Sequence, residues 1–467
     1  MNLLLNDDKN FAKGTISFPA TKRFDVLVAG GGLAGFAAAV SAARNGASVC
    51  LIERTQTIGG TATAGLMNLF YAPYNGLTGI GKELFERLVA KKAAIPDETV
   101  PFDIEQCTLE MFDMLQEAGV RLLLDTWVVD VIRDNADIAG VCTLNKSGFS
   151  AILACRIVDA SGDGDVCAAA DYAYMMGRES DQMMRPMTLL FSIGGIDVNR
   201  LVSYVQENPS QFAPDPNQCI VNMELGELRI FGFFDLVRKA RENGDLDDTF
   251  HYFRIESIFA DKGIGTVNTI RIYKVDGTSG DDISAAVISA RKQQKQLLKF
   301  MRSYIPGLEN CYLLTSAQSI GVRDSRRIVG EYKMTEDDIT DQVVFTDCIG
   351  IGKNRQVLGF KGEGHSPDGG EGSEKDTVIR EAIADYVEYQ IPYRILIPKD
   401  SKRILVAGKI VSCDIMANKH LRNQPPCMIT GEAAGAAAAL SVSSGVNVGD
   451  IDIRRLQVML GIDPTLI

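Results

Sequence analysis

The first well-patterned segment runs from Phe24 to Ala29, a short apolar stretch rich in Val and Leu that predicts a buried strand. Gly30, Gly31 and Gly32 break it. Small and apolar residues from about Leu33 to Asn45 predict a helix, closed by Gly46. Ser48 to Glu53 reads as a second strand. Strand, turn, helix and strand within about 30 residues make the unit of a parallel βαβ crossover. Two amphipathic helices are predicted next, Gly81–Lys92 and Leu109–Glu117. Val120–Arg133, Ile138–Asn145 and Phe149–Ala154 read as three strands of a meander, with turns at Asp134-Asn135 and Lys146-Ser147-Gly148. Cys155–Ala160 reads as a further buried strand.

The pattern changes after about residue 180. From Met187 to Arg327 come mixed strands, a loop holding Pro214 and Pro216, and a long helix near Asp282–Tyr304 that Pro306 stops. Residues 181–330 are therefore predicted to form an inserted α+β domain, a substrate or cap domain. Residues 1–180 and 331–467 form the two parts of the main one. Phe360–Asp376 is Gly-rich, polar and aperiodic, so 359–376 is predicted to be a mobile loop, solvated or serving as a lid. Ile404–Ala407 is a predicted strand ending at Gly408, and Thr430–Ser441 a predicted helix. The expected fold class is α/β, a Rossmann-like domain of parallel sheet plus β-meander with the α+β insertion.

A chain of 467 residues supports two or three domains, and 46% apolar residues suffice for their cores. A net charge of −12 with scattered Lys and Arg gives no basic footprint for nucleic acid and no membrane patch. The ten Cys include no C-x-x-C pair, and the three His (His251, His365, His420) are too few for a multi-histidine metal site, so no metal is expected. MNLLLNDDKN does not read as a signal peptide. Val26–Ala43 superficially resembles a membrane anchor, but Asp25 and three consecutive glycines suit a tight turn better. A soluble cytoplasmic protein without membrane contact is expected.

The chemistry centres on Gly30-x-Gly32-x-x-Gly35, which follows a strand and opens a helix. Gly30 allows the tight turn, Gly32 lets a pyrophosphate approach the backbone, and Gly35 permits close helix–strand packing. The amides at the helix start, around Leu33 and Ala34, would face the phosphates. Glu53, at the end of the second strand, suits ribose hydroxyls. Arg54 beside it could contact a 2′-phosphate, but Glu53 would repel that group.

Further glycine motifs follow in order: Gly59-Gly60-Thr61, Ala160-Ser161-Gly162-Asp163, Ala407-Gly408, and Gly431-x-Ala433-Ala434-Gly435. Together they resemble the glutathione-reductase-like FAD superfamily. Gly60–Gly65, Asp159–Asp165, Pro186-Met187-Thr188, Gly321–Tyr332 and Pro425–Met428 resemble, more closely, an FAD-dependent oxidoreductase family distantly related to fumarate reductase flavoproteins. The similarity runs from about residue 22 to 441. It implies FAD, with Gly60 and Thr61 along the pyrophosphate and flavin, Val129 giving backbone bonds to the adenine, and Ala160, Ser161 and Gly162 near the adenosine. It also implies a helix start at Met428–Gly431, after Gly408, directing N–H groups at the flavin pyrimidine.

No second complete GxGxxG occurs, because Gly263-x-Gly265 and Gly362-x-Gly364 lack the third glycine. Electrons would therefore pass to a small substrate or a separate donor or acceptor. In fumarate reductases an Arg is the proton donor, so Arg323, Arg326 and Arg327 are candidates for binding a carboxylate, with salt bridging as their other reading. Arg422 lies in a segment implied to pass over the flavin. The resemblance implies a His where this chain has Ile415, and His420 is the nearby substitute. Catalytic candidates are thus Arg323, His420 and Arg422; Asn268, Thr269 and Arg271 could touch substrate. Cys427 reads as a packed small residue. The expected reaction is hydride transfer between flavin N5 and a small carboxylate or sugar-like compound. Rival readings are a flavin subunit of an electron-transfer complex, a tRNA-modifying-type flavoprotein, which the acidity opposes, and an FAD-stabilised scaffold.

Overall fold

Two large sheets build the molecule, beside smaller two-stranded ones. The computed structural model describes residues 4–5, 12–13, 20–96, 99–134, 137–212, 220–222, 227–357 and 383–463. The first sheet begins with β1 (Ala20–Ala29), α1 (Leu33–Arg44) and β2 (Val49–Ile52), with β1 and β2 parallel. Val26–Val28 and Cys50–Leu51 are wholly buried, as strands covered on both faces must be. Helices Gly79–Ala90 and Ile104–Glu117 lead to β3 (Arg121–Leu123), which runs parallel to β2. Then come β4 (Trp127–Asp134), β5 (Asp137–Asn145) and β6 (Gly148–Asp159), an antiparallel meander. The strand order is β3-β2-β1-β6-β5-β4.

Two predicted strand boundaries are corrected. Val120–Arg133 is not one strand: the chain breaks after Leu123, with Asp125 in the left-handed region at φ 50°. There the Asp125 and Thr126 amides bond the Thr55 and Glu53 carbonyls at 2.9 and 3.0 Å. Phe149–Ala154 and Cys155–Ala160 are one strand, because nothing between them interrupts the ladder. The first half of β6 pairs with β5 while its later residues pair with β1.

The second sheet comprises β7 (Phe191–Gly194), β8 (Ile220–Asn222), β9 (Glu227–Gly232), β10 (Phe253–Phe259), β11 (Ile264–Val267) and β12 (Tyr312–Ser316). It is antiparallel throughout, in the order β8-β9-β10-β11-β7-β12. The long helix α2 (Gly280–Tyr304) packs Ala286, Ala290, Leu297 and Phe300 into a core with Ile230, Phe253, Ile255 and Val267. Alternation therefore turns Arg254 and Glu256 to the other face.

The chain then returns to the first sheet. β13 (Ile404–Val406) pairs in parallel with the end of β6 and is followed by α3 (Ile415–Leu421) and α4 (Gln424–Ser444). α4 crosses α1 at very short range. A Cβ on Gly431 would lie 2.8 Å from the Ala34 carbonyl carbon, and one on Gly435 2.8 Å from that of Ala38. Only glycine permits this approach. The predicted loop 359–376 and His365 lie outside the described residues. Among the described residues no helix is long and apolar enough to cross a membrane.

Candidate functional site

The glycine turn forms the floor of the site. Gly30 has φ 99°, and a Cβ there would sit 2.7 Å from the Ala160 carbonyl carbon, so β1 and β6 end in contact at this point. Gly35 lies as tightly over Gly30. At Gly32, by contrast, a Cβ would meet nothing within 4 Å. Gly32 caps α1 without a side-chain bond, and the first ladder bond is Phe36 N–H to the Gly32 carbonyl at 2.8 Å. The amides of Leu33, Ala34 and Gly35 therefore precede the ladder and face that open space, a ready anion site. Gly60 lies opposite: its Cβ would be 3.0 Å from Gly32 Cα, and Thr61 follows it.

Glu53 is buried and already engaged. Its carboxylate accepts from the Gly31 amide at 2.7 Å and from the Thr55 amide and hydroxyl at 2.8 Å each. About four acceptor positions exist on a carboxylate, so roughly one remains for a ribose hydroxyl. Arg54 does not meet a phosphate position; its guanidinium stacks 5.6 Å from the Trp127 ring centroid. Trp127 and Val129 project exposed from the same face of edge strand β4, beside Glu53. Sequence reasoning named Val129 but passed over Trp127, whose only signal was being the single Trp of the chain.

Opposite the turn, the Ala160 amide bonds the Ala29 carbonyl and the Ser161 amide bonds buried Asp159 at 3.0 Å. Asp163 next pairs with Lys409 at 2.8 Å, and Lys409 also reaches Ser325 Oγ at 2.8 Å. Burial opposes the Asp163 carboxylate, but the Lys409 ammonium, Ser325 and Arg54 outweigh it and hold its pKa below the ordinary range. This pair ties the Gly162 loop to the Gly408 loop. Lys409 was missed because only the folded chain brings it to Asp163.

The start of α4 differs from expectation. The helix begins at Gln424, so Met428 and Gly431 lie inside it, with their amides in the helix ladder, and cannot offer N–H groups to a flavin. Pro425 and Pro426 occupy the first turn, where a missing N–H matters least. Gly431 instead seats α4 on Ala34, Met428 packs over Gly81, and the Gly408 amide is taken by Thr430 Oγ1 at 3.0 Å. Two polar atoms at this helix start, Arg422 Nε and Gln424 Oε1, are buried without a hydrogen-bond partner among the described residues. A buried donor and a buried acceptor left open two residues apart are each suited to a polar group of a bound ligand. The Gln424 amide nitrogen bonds the Met67 carbonyl at 2.6 Å. Burial pushes the Cys427 thiol up to about 12, so it stays protonated, a packed residue.

The catalytic candidates separate. His420 is buried on α3, edge-on to Tyr389, and its pKa is pushed down to about 4 by burial and by Lys419, Arg185 and Arg422. It is a neutral imidazole at pH 7. Arg185, unnoticed in the sequence although it directly precedes Pro186-Met187-Thr188, holds α3 through the Ile415 carbonyl at 2.9 Å. Arg323 donates to the carbonyl of Pro186, the residue after Arg185, at 2.6 Å. Arg326 and Arg327 sit on a short strand, not a helix, and act as braces. Arg326 bonds the Asp163 carbonyl and Asp165; Arg327 bonds Asp324 and the Gly177 carbonyl. Asn268, Thr269 and Arg271 lie on or beside the polar face of the second sheet, across Met67 from Gln424. Among the described residues no His, Cys, Asp and Glu cluster suits a metal.

A glycine turn beneath a free helix start, an acidic strand end and a second cradle from the C-terminal third define a dinucleotide-binding protein of the flavoprotein class. The family described as FAD dependent oxidoreductase matches residues 25–460, and the chain belongs to it. FAD is thus its cofactor, and the open cradle at Gly32 with the two unbonded atoms at α4 fits that group. No curated protein matches the chain. Among solved structures it is similar to a geranylgeranyl bacteriochlorophyll reductase-like protein from Thermoplasma acidophilum, with 12% identity, 94% of this chain and 82% of that one covered, and TM-score 0.45. Similar too are p-nitrophenol 4-monooxygenase from Pseudomonas putida (11%, 94% and 86%, 0.46) and the myxobacterial chondrochloren halogenase (14%, 94% and 78%, 0.46).

Proposed function

We propose that this FAD-dependent oxidoreductase transfers hydride to or from a small organic substrate held between the start of α4 and the polar face of the second sheet. When bound, FAD supplies the redox centre of that exchange. The observation that carries the reading is that two buried atoms at the helix start, Arg422 Nε and Gln424 Oε1, have no hydrogen-bond partner among the described residues. The Arg422 guanidinium is a cationic donor and would suit negative charge on a bound group at this helix start. Gln424 fixes the strap Met67–Tyr71 by its other amide atom and accepts with Oε1. His420, kept neutral by burial and by the charges of Lys419, Arg185 and Arg422, is unsuited to giving a proton at pH 7, which leaves Arg422 as the charged candidate. Electrons reach the enzyme from substrate or a separate partner, because the chain has no second dinucleotide motif.

The test is optical. Purified protein is expected to show flavin bands that acid precipitation releases, and anaerobic addition of small carboxylates or polyols is expected to bleach them. A protein that stays colourless with added FAD, or a bound flavin that no such compound either bleaches when oxidised or restores in colour when chemically reduced, would overturn the reading.

A further inference from the structure

The starts of α1 and α4 differ in what their backbones can donate. A helix start ordinarily leaves about four N–H groups open. At α1 the amides of Leu33, Ala34 and Gly35 precede the ladder. At α4 the first ladder bond is Cys427 N–H to the Asn423 carbonyl at 3.0 Å. Of the positions before it, Asn423 already donates to the His420 carbonyl at 3.2 Å, and Pro425 and Pro426 have no N–H to give. The backbone of this helix start therefore offers a ligand at most the Gln424 N–H.

The side chains offer more. Arg422 Nε and Gln424 Oε1 are buried with no hydrogen-bond partner among the described residues. Gln424 is also tied to the cradle. Its amide nitrogen bonds the Met67 carbonyl, and the Met67 amide bonds the Thr61 carbonyl at 2.9 Å. Near the same helix start, Cys427 Sγ would lie 3.9 Å from a Cβ on Gly408, and that Cβ 3.1 Å from the Cβ of Ala34. Glu53 suits the ribose of the adenosine half, so the start of α4, reached through Thr61 and Gly408, receives the flavin half. Of the flavin ring, the benzenoid end is apolar, and the pyrimidine end carries C2=O, N3–H and C4=O. Only the pyrimidine end can satisfy a buried donor and a buried acceptor.

We propose that Arg422 and Gln424 take over with their side chains the recognition of the flavin pyrimidine that a proline-free helix start would make through its amides. Arg422 Nε–H donates to the N1–C2=O edge, and Gln424 Oε1 accepts from N3–H. This rests on FAD as the cofactor and not on the hydride reading. A helix start is worth about half a charge, whereas a guanidinium carries a whole one at any working pH. Two-electron reduction puts negative charge on the N1–C2=O edge, so Arg422 bonds the reduced ring more strongly, raises its potential and keeps it anionic. Reduction to the anionic ring takes two electrons and one proton, at N5; the neutral ring takes a second proton, at N1.

The experiment equilibrates the FAD-loaded protein with a reference dye under slow chemical reduction and reads the potential against pH. One proton per two electrons gives a slope of about 30 mV per pH unit, and two give about 59. The native protein is expected to hold the lower slope down to about pH 6. Arg422→Met is expected to favour the oxidised ring by about ten- to a hundredfold, a fall of about 30–60 mV, and to steepen the slope on the acid side. Arg422→Lys, which keeps the charge, is expected to restore most of the potential; a merely structural role would not follow charge. Should Arg422→Met not hold FAD, Arg422→Lys against Arg422→Gln makes the same comparison. A native slope of about 59 mV throughout, or a potential indifferent to charge at residue 422, overturns the Arg422 assignment. For Gln424 the probe is FAD methylated at N3, expected to bind the native protein at least about tenfold more weakly than FAD. Gln424→Ala, which removes the acceptor and makes room for the methyl group, is expected to erase that difference, and equal binding of the two cofactors by the native protein overturns the Gln424 assignment. Potentials that follow Arg422, with no small compound altering the flavin, would leave this inference standing and sink the hydride reading. A flavin altered by a small acid, with a potential that ignores Arg422, would do the reverse.

Discussion

Gly431→Ala tests the packing that carries the cofactor floor. In an open helix interior this change stabilises by about 1 kcal/mol through helix propensity. Here the added Cβ would lie 2.8 Å from the Ala34 carbonyl carbon and nearer its oxygen, where ordinary contact begins at 3.4 Å. α4 must retreat by roughly 0.6–1 Å, given the range over which dispersion contacts are lost. Overpacking of this kind costs about 1–3 kcal/mol and sometimes more, which cancels the gain and leaves a net loss of up to about 2 kcal/mol or beyond. Ala34 lies in the first turn of α1, so the displacement reaches the phosphate amides directly.

Urea titration of the FAD-free and FAD-loaded protein, with fluorescence titration of FAD, reads both effects. FAD affinity is expected to fall by about tenfold or more, a loss of about 1.4 kcal/mol. Gly435→Ala collides with Ala38 in the same way one turn on. One retreat of α4 relieves both collisions, so the double variant is expected to lose less than the two singles summed. Gly280→Ala, at a position where a Cβ meets nothing within 4 Å, is the control and is expected to hold or gain stability. A Gly431→Ala protein as stable as the parent, with unchanged FAD affinity, refutes the argument.

Lys409→Met is expected to cost about 2–4 kcal/mol, because it strands the buried Asp163 carboxylate. Asp163 is held below the ordinary carboxylate range, so its contribution is full above about pH 4 and is lost as pH falls further; melts between pH 3 and 7 should show that limb in the parent and its loss or reversal in the variant, where protonation relieves the stranded carboxylate. His420 titrates low when folded, from 6.5 to about 4, so folded protein binds fewer protons there and stability drops as pH falls through that window by up to about 3 kcal/mol. His420→Gln should flatten that slope, and an unchanged slope would place the titration elsewhere. Trp127→Ala is expected to weaken FAD by about tenfold through lost stacking while leaving FMN, which lacks the adenine, unaffected; equal weakening of both would remove Trp127 from the adenine side.

The glycine cradle was legible because it is local. Gly30, Gly32, Gly35 and Glu53 sit within one βαβ unit, and spacing alone fixes their relation. The start of α4 was misjudged by one turn: the resemblance implied a start at Met428–Gly431, yet the first helical turn takes in Pro425 and Pro426, where a missing N–H is tolerated. The arginines failed for a different reason. Arg323, Arg326 and Arg327 drew attention by lying close in sequence, but nearness along the chain says nothing about what each guanidinium meets. Arg326 and Arg327 meet backbone carbonyls and nearby aspartates. Arg229, Arg254 and Arg271, on or beside the polar face of the second sheet, are spread over some forty positions, and on β9 and β10 the alternation does reveal that face. It does not reveal that this face turns toward the first sheet rather than water. That information resides in α2, whose apolar stripe claims Phe253, Ile255 and Val267 and leaves Arg254 and Glu256 only the inward wall. A buried charged wall is thus a consequence of where a distant helix packs, and that is why the sequence hid it.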